Sequence, residues 1–170
     1  MTRRSAPSGP EPLTAAHGTE RFDCGKPALN TFLKRFALTN QQNGTARTYI
    51  AHRQGEILGY YSLSAASVAV DQAPTRVAKG LAKHPIPMTL LARLAVDLHE
   101  QGQGLGASLL QDALLRHLQA EEVIGSRALL VHAKDEAAIT FYQKFGFEPS
   151  PLDPYHLFLL TKDIKKSLGL

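Results

Sequence analysis

The chain of 170 residues has a single cysteine, Cys24, so no disulfide can close within it and no thiolate cluster can hold a metal. A reducing, cytoplasmic setting is the expectation. No apolar run reaches the ~20 residues that span a bilayer. The first residues carry Arg3 and Arg4 with no apolar stretch behind them, unlike a secretory leader. The Gly-Lys-Ser/Thr step of a nucleotide-hydrolysing loop is missing. The seven histidines show no close metal-ligand spacing, and no metal is expected. Internal repeats and low-complexity runs are lacking too.

What is present is ordinary globular composition, 44% apolar and 20% charged. It suits one domain over residues 11–170 behind a loose Ser-, Pro- and Gly-rich tail over 1–10. The formal charge of +4 fits an acidic partner such as a nucleic acid without identifying one.

Periodicity gives a coarse map. A short edge strand is expected over 13–16. A helix is expected over 27–41, with Leu29, Phe32, Leu33 and Phe36 as its apolar stripe and Lys34 and Arg35 facing elsewhere. Residues 48–52 and 56–63 read as strands joined by the hairpin link Arg53-Gln54-Gly55, and 65–70 extends the sheet. Residues 71–87, broken by prolines, read as a surface insertion with a short helix over 75–81. Then follow a strand over 88–96, a helix over 107–119, a buried strand over 128–132 and a helix from 134 or 135 to Lys144. Gly146 is placed to cap that helix in the left-handed region. A last strand covers 155–160, and 162–166 reads as a basic tail. The order implies an α/β fold with a mixed sheet.

The most informative segment is Gln101-Gly102-Gln103-Gly104-Leu105-Gly106, lying between an apolar strand and a helix. Alternate glycines at a helix start expose backbone amides to an anion, and phosphate fits them well. A dinucleotide turn has different spacing, Gly-x-Gly-x-x-Gly, and opens its domain. A purely structural turn is the other alternative.

Arg93-Leu94-Ala95-Val96 followed by this turn resembles the acetyl-coenzyme A signature of the GNAT-fold N-acetyltransferases. Residues 138–147, Ala-Ile-Thr-Phe-Tyr-Gln-Lys-Phe-Gly-Phe, resemble the same family's closing motif. The resemblance implies a GNAT acyltransferase fold, with a mixed central sheet flanked by helices, and acetyl-CoA as the acyl donor. It implies that Leu94, Ala95 and Val96 line the pantetheine arm. Gln101, Gly102, Gln103, Gly104, Leu105, Gly106 and Ala107 would form the pyrophosphate cradle, with Phe145 also at the cofactor. Phe22-Asp23-Cys24-Gly25, Leu29-Asn30-Thr31-Phe32-Leu33, Gly59-Tyr60-Tyr61-Ser62-Leu63 and Pro87-Met88 narrow it. They resemble the acetyltransferase toxins of type II toxin–antitoxin pairs, which acetylate the α-amine of aminoacyl-tRNA and block translation. That resemblance implies a homodimer and a cognate ribbon-helix-helix antitoxin, with DNA reached only through the antitoxin.

The chemistry asks for a neutral amine and a proton for the leaving thiolate. An α-amine has a pKa near 8, against about 10.4 for lysine, so an aminoacyl ester needs no strong base. In the family, a tyrosine at the position of Tyr142 is the general acid; on its residues alone, Tyr142 reads rather as a packed aromatic whose hydroxyl meets a buried partner. The Val96 amide is the family's candidate oxyanion donor. Phe141, Phe145 and Phe147 read as core, Cys24 as packing, and Asp97 as a turn holder. His99 and His132 are minor candidates near substrate or cofactor. Of Tyr60 and Tyr61, one is expected to touch substrate and the other to be core. The basic set expected to meet tRNA phosphates is Lys34, Arg35, Arg76, Lys79, Lys83 and Arg93, with Arg47 and Lys144 in support. The rival reading is acetylation of a small-molecule amine or a protein N-terminus. A silent binding protein of the same fold is a third.

Overall fold

A computed structural model describes residues 4–170. In chain order they form β1 (Ser8–Pro12), α1 (Pro27–Thr31), a π-helical turn (Phe32–Phe36), α2 (Ala37–Gln42), β2 (Arg47–Arg53) and β3 (Glu56–Val68). There follow α3 (Thr75–Ala78), β4 (Ile86–Val96), α4 (Leu105–Ile124), β5 (Ala128–His132), α5 (Glu136–Lys144), β6 (Glu148–Pro149), β7 (His156–Leu160) and α6 (Thr161–Ser167). The strand order is β1-β2-β3-β4-β5-β7-β6. Two compact units emerge, one of residues up to Ser64 with Arg93–Ala113, the other Ala65–Ala92 with Leu114–Leu170.

In the first unit, β1 pairs antiparallel with β2, Glu11 opposite Ile50 and Pro12 opposite Tyr49. The tail expected over residues 1–10 therefore becomes a strand at Ser8, and the strand expected over 13–16 lies earlier. Residues 1–3 of that tail lie outside the described residues. The β2–β3 hairpin turns at Gln54 and Gly55, with φ of 53° and 85°. Two successive positive φ values match the twist of a tight hairpin, as the link implied.

The first helix keeps its place but not its stripe. The Ala37 amide donates to the Phe32 carbonyl, an i→i+5 bond. That wider turn rotates later residues round the axis. Ala37 is fully buried where 3.6-residue spacing expects Phe36, and Phe36 is 51% exposed. Lys34 and Arg35 stay on the open side. The stripe's other members, Leu29, Phe32 and Leu33, pack with Leu13, Phe22 and Tyr60.

In the second unit, β4 and β5 pair in parallel from Met88–Ala128 to Leu91–Val131, and β5 pairs antiparallel with β7. This is the mixed sheet expected of the second half. Asp135 caps α5 by accepting the Ala138 amide at 2.8 Å, and Gly146 ends it with φ of 92°. Val77, on the short helix α3, is buried with Ile86, Met88, Leu130 and Phe158. The expected basic tail is instead α6, whose Ile164 is fully buried.

A buried polar chain crosses this unit. His117, with no exposed surface, lies 2.8 Å from both Thr89 Oγ1 and Thr161 Oγ1. Thr161 donates to the Ser126 carbonyl, so it accepts from His117 Nε2–H, and Thr89 donates to Nδ1. Burial first of all lowers the His117 pKa from 6.5 to about 4. Between those values the unfolded chain binds a proton that the folded chain refuses, so stability is lost as pH falls from 6.5 to 4 and the loss then levels off. The expected loss is on the order of 3 kcal/mol. Urea unfolding at stepped pH checks it: His117→Gln should flatten this acid limb, and an unchanged limb would assign the pH dependence to other groups.

Candidate active site

The segment singled out in the sequence is built as a strand, a short turn and a long helix. Strand β4 ends at Val96, a single 3-10 turn spans Leu98–Glu100, and α4 begins at Leu105. Gly102 and Gly104 hold φ of 78° and 85°, which a side chain disfavours. Gly106 already lies within α4, which starts before the expected 107. The first helical bond is Ser108 N–H to the Gly104 carbonyl at 3.1 Å. The amides ahead of it, those of Leu105, Gly106 and Ala107, have no partner within the helix. No acidic residue occupies the first turn. Open amides, the positive helix end and missing acid together favour an anion.

Polar side chains fix this junction instead of facing a ligand. Asp97 is buried, and its carboxylate accepts the Asp23 amide at 3.0 Å and the His99 amide at 2.9 Å. It holds the turn, as expected. Gln101 donates its side-chain amide to the Val96 carbonyl at 2.9 Å and the Cys24 carbonyl at 3.3 Å. Its side chain is thus a strut for the cradle, which leaves its backbone for the place expected of it at the pyrophosphate. Gln103 is exposed. The Asp97 amide donates to the Leu58 carbonyl at 2.8 Å, tying the strand end to β3. The loop Asp23–Cys24 is held in turn by Asn30, and the Gly25 amide, then Asn30, lowers the Asp23 pKa.

Gly59 explains itself by packing. A Cβ there would meet Leu109 Cδ1 at 2.9 Å and the Ala95 carbonyl oxygen at 3.2 Å. Its absence lets β3 lie against the strand and helix that frame the glycine turn. Neither tyrosine beside it reaches out. Tyr60 and Tyr61 are both fully buried; Tyr60 donates to the Leu29 carbonyl at 2.8 Å, and Tyr61 to the Asp112 carboxylate. The expectation that one touches substrate is corrected by these internal partners.

The first unit also holds Leu94, Ala95, Val96, Lys34, Arg35 and Arg93. Arg93 stacks its guanidinium carbon 3.7 Å from the Phe32 ring centroid, so it is engaged as a cation on an aromatic face. Lys34 and Arg35 line an open groove with Asp23, Asn30 and Thr31. Neither is paired with a carboxylate among the described residues.

In the second unit, Tyr142 lies on α5 with its ring 7% exposed, edge-on to Phe141 and Phe147. Among the described residues its hydroxyl has no hydrogen-bond partner, unlike those of Tyr60 and Tyr61. The packed-and-satisfied alternative is thereby set aside. Burial raises the Tyr142 pKa, so the phenol keeps its proton. Phe147 is core, whereas Phe145 is 40% exposed, which corrects its expected burial. His132 stacks on His156 at 4.2 Å between centroids, and burial, then His156, lowers its pKa. Arg76 donates to Glu148 at 2.6 Å and to Asp163 at 3.0 Å and 3.2 Å. Those carboxylates raise its pKa and occupy its donors, so its expected place among free phosphate contacts is corrected. Lys79 and Lys83 are exposed.

Two features escaped the sequence because they join distant residues. Glu100, in the short segment between β4 and α4, is 4% exposed and faces Arg53. Glu11, His17 and His52 bring potential ligand atoms within 4.8 Å of one another. Yet His17 Nδ1 accepts the Thr14 amide and His52 Nδ1 the Gly55 amide, each at 3.0 Å. Each neutral ring then carries its proton on Nε2, aimed at Glu11, the reverse of a metal-binding histidine, which donates from its outer nitrogen. The trio is a hydrogen-bonded clasp of β1 on β2.

Comparison with known proteins places this geometry. Residues 44–149 match the acetyltransferase (GNAT) domain model. A tRNA-acetylating toxin of Mycobacterium tuberculosis is 44% identical over 162 residues, covering 95% of this chain and 97% of that one. The solved AtaT toxin complexed with acetyl-methionyl-tRNAfMet superposes with a TM-score of 0.87 at 35% identity, over 93% of this chain and 97% of that one. A tyrosine-to-phenylalanine mutant of AtaT, bound to the C-terminus of its antitoxin AtaR and acetyl-CoA, gives 0.81 at 34% identity, over 94% and 97%. With its strand, glycine turn and helix intact and its match running nearly end to end, this chain belongs to the GNAT acetyltransferases, in the family of tRNA-acetylating toxins.

Proposed function

We propose that the chain transfers the acetyl group of acetyl-CoA to the α-amine of aminoacyl-tRNA and so blocks translation until an antitoxin neutralises it. The observation that carries this reading is the open-amide glycine turn, in a chain alike over nearly its full length to a tRNA-acetylating toxin. The donor set fits the coenzyme: helix-start amides suit its diphosphate, and a strand end offers backbone groups to its amide arm. Acetyl-CoA supplies an activated acyl thioester. Leu94, Ala95 and Val96 would hold the arm, and the backbone of Gly102 to Ala107 the diphosphate. The Val96 amide would receive the charge that develops on the acyl oxygen.

Tyr142 would act at the other end of the bond that breaks. As nitrogen bonds to the acyl carbon and the carbon–sulfur bond breaks, the nitrogen would release its surplus proton to solvent while the phenol donates its own to the departing thiolate and recovers one from solvent. Its unpaired hydroxyl and burial-raised pKa support a donor that stays protonated at neutral pH. Lys34 and Arg35, exposed on the open side of the first helix, are proposed to meet tRNA phosphates, with Lys79 and Lys83 adding to the field. Arg93 would do so only while stacked on Phe32. AtaT is seen with an antitoxin and, as the AtaT–AtaR complex, with DNA. By that likeness we propose a cognate ribbon-helix-helix antitoxin, DNA contact only through it, a homodimeric toxin and a cytoplasmic place of action. No helix among the described residues is long and apolar enough to cross a membrane.

Tyr142→Phe should fold with unchanged melting, since the lost hydroxyl bonds no protein group, and should slow single-turnover acetylation by about 100-fold or more. An unchanged rate removes the acid role. Below pH 10 the wild-type rate should show no decline from phenol ionisation, because the pKa lies above its ordinary 10.0. At Gly104, nothing lies within 4 Å of an added Cβ, so Gly104→Val acts through its φ of 85° rather than by crowding. Strain of about 1–2 kcal/mol should raise the acetyl-CoA Kd about tenfold by calorimetry; native affinity would dismiss the cradle. Incubating the protein with labelled acetyl-CoA and charged total tRNA, then mass spectrometry of the released aminoacyl adenosines, tests the substrate. Acetylated α-amines on them are expected, and label found only on small amines or protein N-termini would favour the rival reading.

A further inference from the structure

Glu100 stands immediately before the glycine turn with its side chain only 5% exposed. It lines one cavity together with Gln103, Gly104, Leu105 and Ser108, the start of α4. A buried carboxylate on the wall of the cavity at the start of that helix repels an anion entering there unless its charge is cancelled.

Arg53, the last residue of β2, cancels it. Its Nη1 donates to Glu100 Oε1 at 2.7 Å and its Nη2 to Oε2 at 3.5 Å, a two-pronged grip on one carboxylate. Its Nε donates to the Ser5 carbonyl at 2.7 Å, which brings the N-terminal segment against the same pair. Arg4 adds a more distant and mostly exposed cation, 3.7 Å from Glu100 Oε1. The partners lie 47 residues apart, so no local motif announces them.

We propose that Arg53 is a positioning residue of the coenzyme site. Through Glu100 it fixes the entry to the glycine turn, and by neutralising that carboxylate it keeps the cavity at the start of α4 receptive to the coenzyme diphosphate. This rests on the reading that acetyl-CoA binds at that turn. Arg53 itself touches neither coenzyme nor acceptor; it acts by the charge it removes.

The test is calorimetric titration of the full chain with acetyl-CoA at low and high potassium chloride. Arg53→Met should weaken binding about tenfold at low salt, with the difference shrinking at high salt as screening grows. The double variant Arg53→Met/Glu100→Gln should return the Kd to within about twofold of the parent, since the offending charge has gone. Glu100→Gln alone, which leaves Arg53 unopposed, should bind about threefold more tightly at low salt. A double variant as weak as Arg53→Met would show a merely structural role and overturn the proposal, as would native affinity in Arg53→Met. If Arg53→Met does not fold, Glu100→Gln decides: no salt-sensitive gain overturns it. Failure of the parent chain to bind acetyl-CoA at all would instead strike the coenzyme reading, and the proposal with it.

Discussion

The joint between β4 and α4 is the constraint on which the rest depends. Gln101, five positions after Val96, grips the Val96 carbonyl with its side-chain amide, and Asp97 ties both the Asp23 loop and the next turn to the same point. A site that binds through main-chain atoms has no ligand side chains to adjust; its geometry is whatever the neighbouring contacts impose. That is why polar residues around the glycine turn are spent inward. It is also why Gly59, on another strand, matters as much as the glycines in the turn: one added carbon would press on the Ala95 carbonyl and on Leu109.

Periodic signals survived the passage from sequence to structure where a single helix or strand face decides burial. On α4, Leu109, Leu110, Ala113, Leu114 and Leu118 recur at helical spacing and all are buried, and the hairpin at Gln54-Gly55 has the backbone its residues demand. The misreadings are equally physical. Phe36 points outward because one i→i+5 bond shifts the register, which no 3.6-residue template can foresee. The last helix was hidden because Ile164 alone is too little pattern to mark a helix face. Residues 8–10 read as tail because proline and glycine mask a strand whose pairing partner lies beyond Tyr49.

The site was legible to a different degree. The glycine turn is a local device, so its spacing carried it. Charges were not, because their meaning lies in their partners. Arg76 looks like a free cation until Glu148 and Asp163, 72 and 87 residues away, are seen to hold it. Glu100 looks like exposed loop until Arg53 covers it. Lys34 and Arg35 sit on the exposed side of the π-helical turn, next to the outward-facing Phe36.

The tyrosines show how chemistry can be separated from packing when burial alone cannot do it. Tyr60, Tyr61 and Tyr142 are all buried, and burial raises the pKa of Tyr60 and Tyr142 alike. What divides them is the hydroxyl. Tyr60 spends its proton on the Leu29 carbonyl and Tyr61 on Asp112, so both are bound into the fold. Tyr142 has no hydroxyl partner among the described residues, and its oxygen is not closed off by burial, so its proton stays available outside the fold. A raised pKa makes such a group a poor base and a persistent donor, so the proposed chemistry needs the amine to arrive neutral. An aminoacyl ester meets that need by its own low basicity. His99, beside the turn, is 83% exposed and leans on Asp97. On the proposed reading the division of labour is consistent: the substrate would bring its own nucleophile ready, and the protein would supply amides for the anion and a single proton for the sulfur.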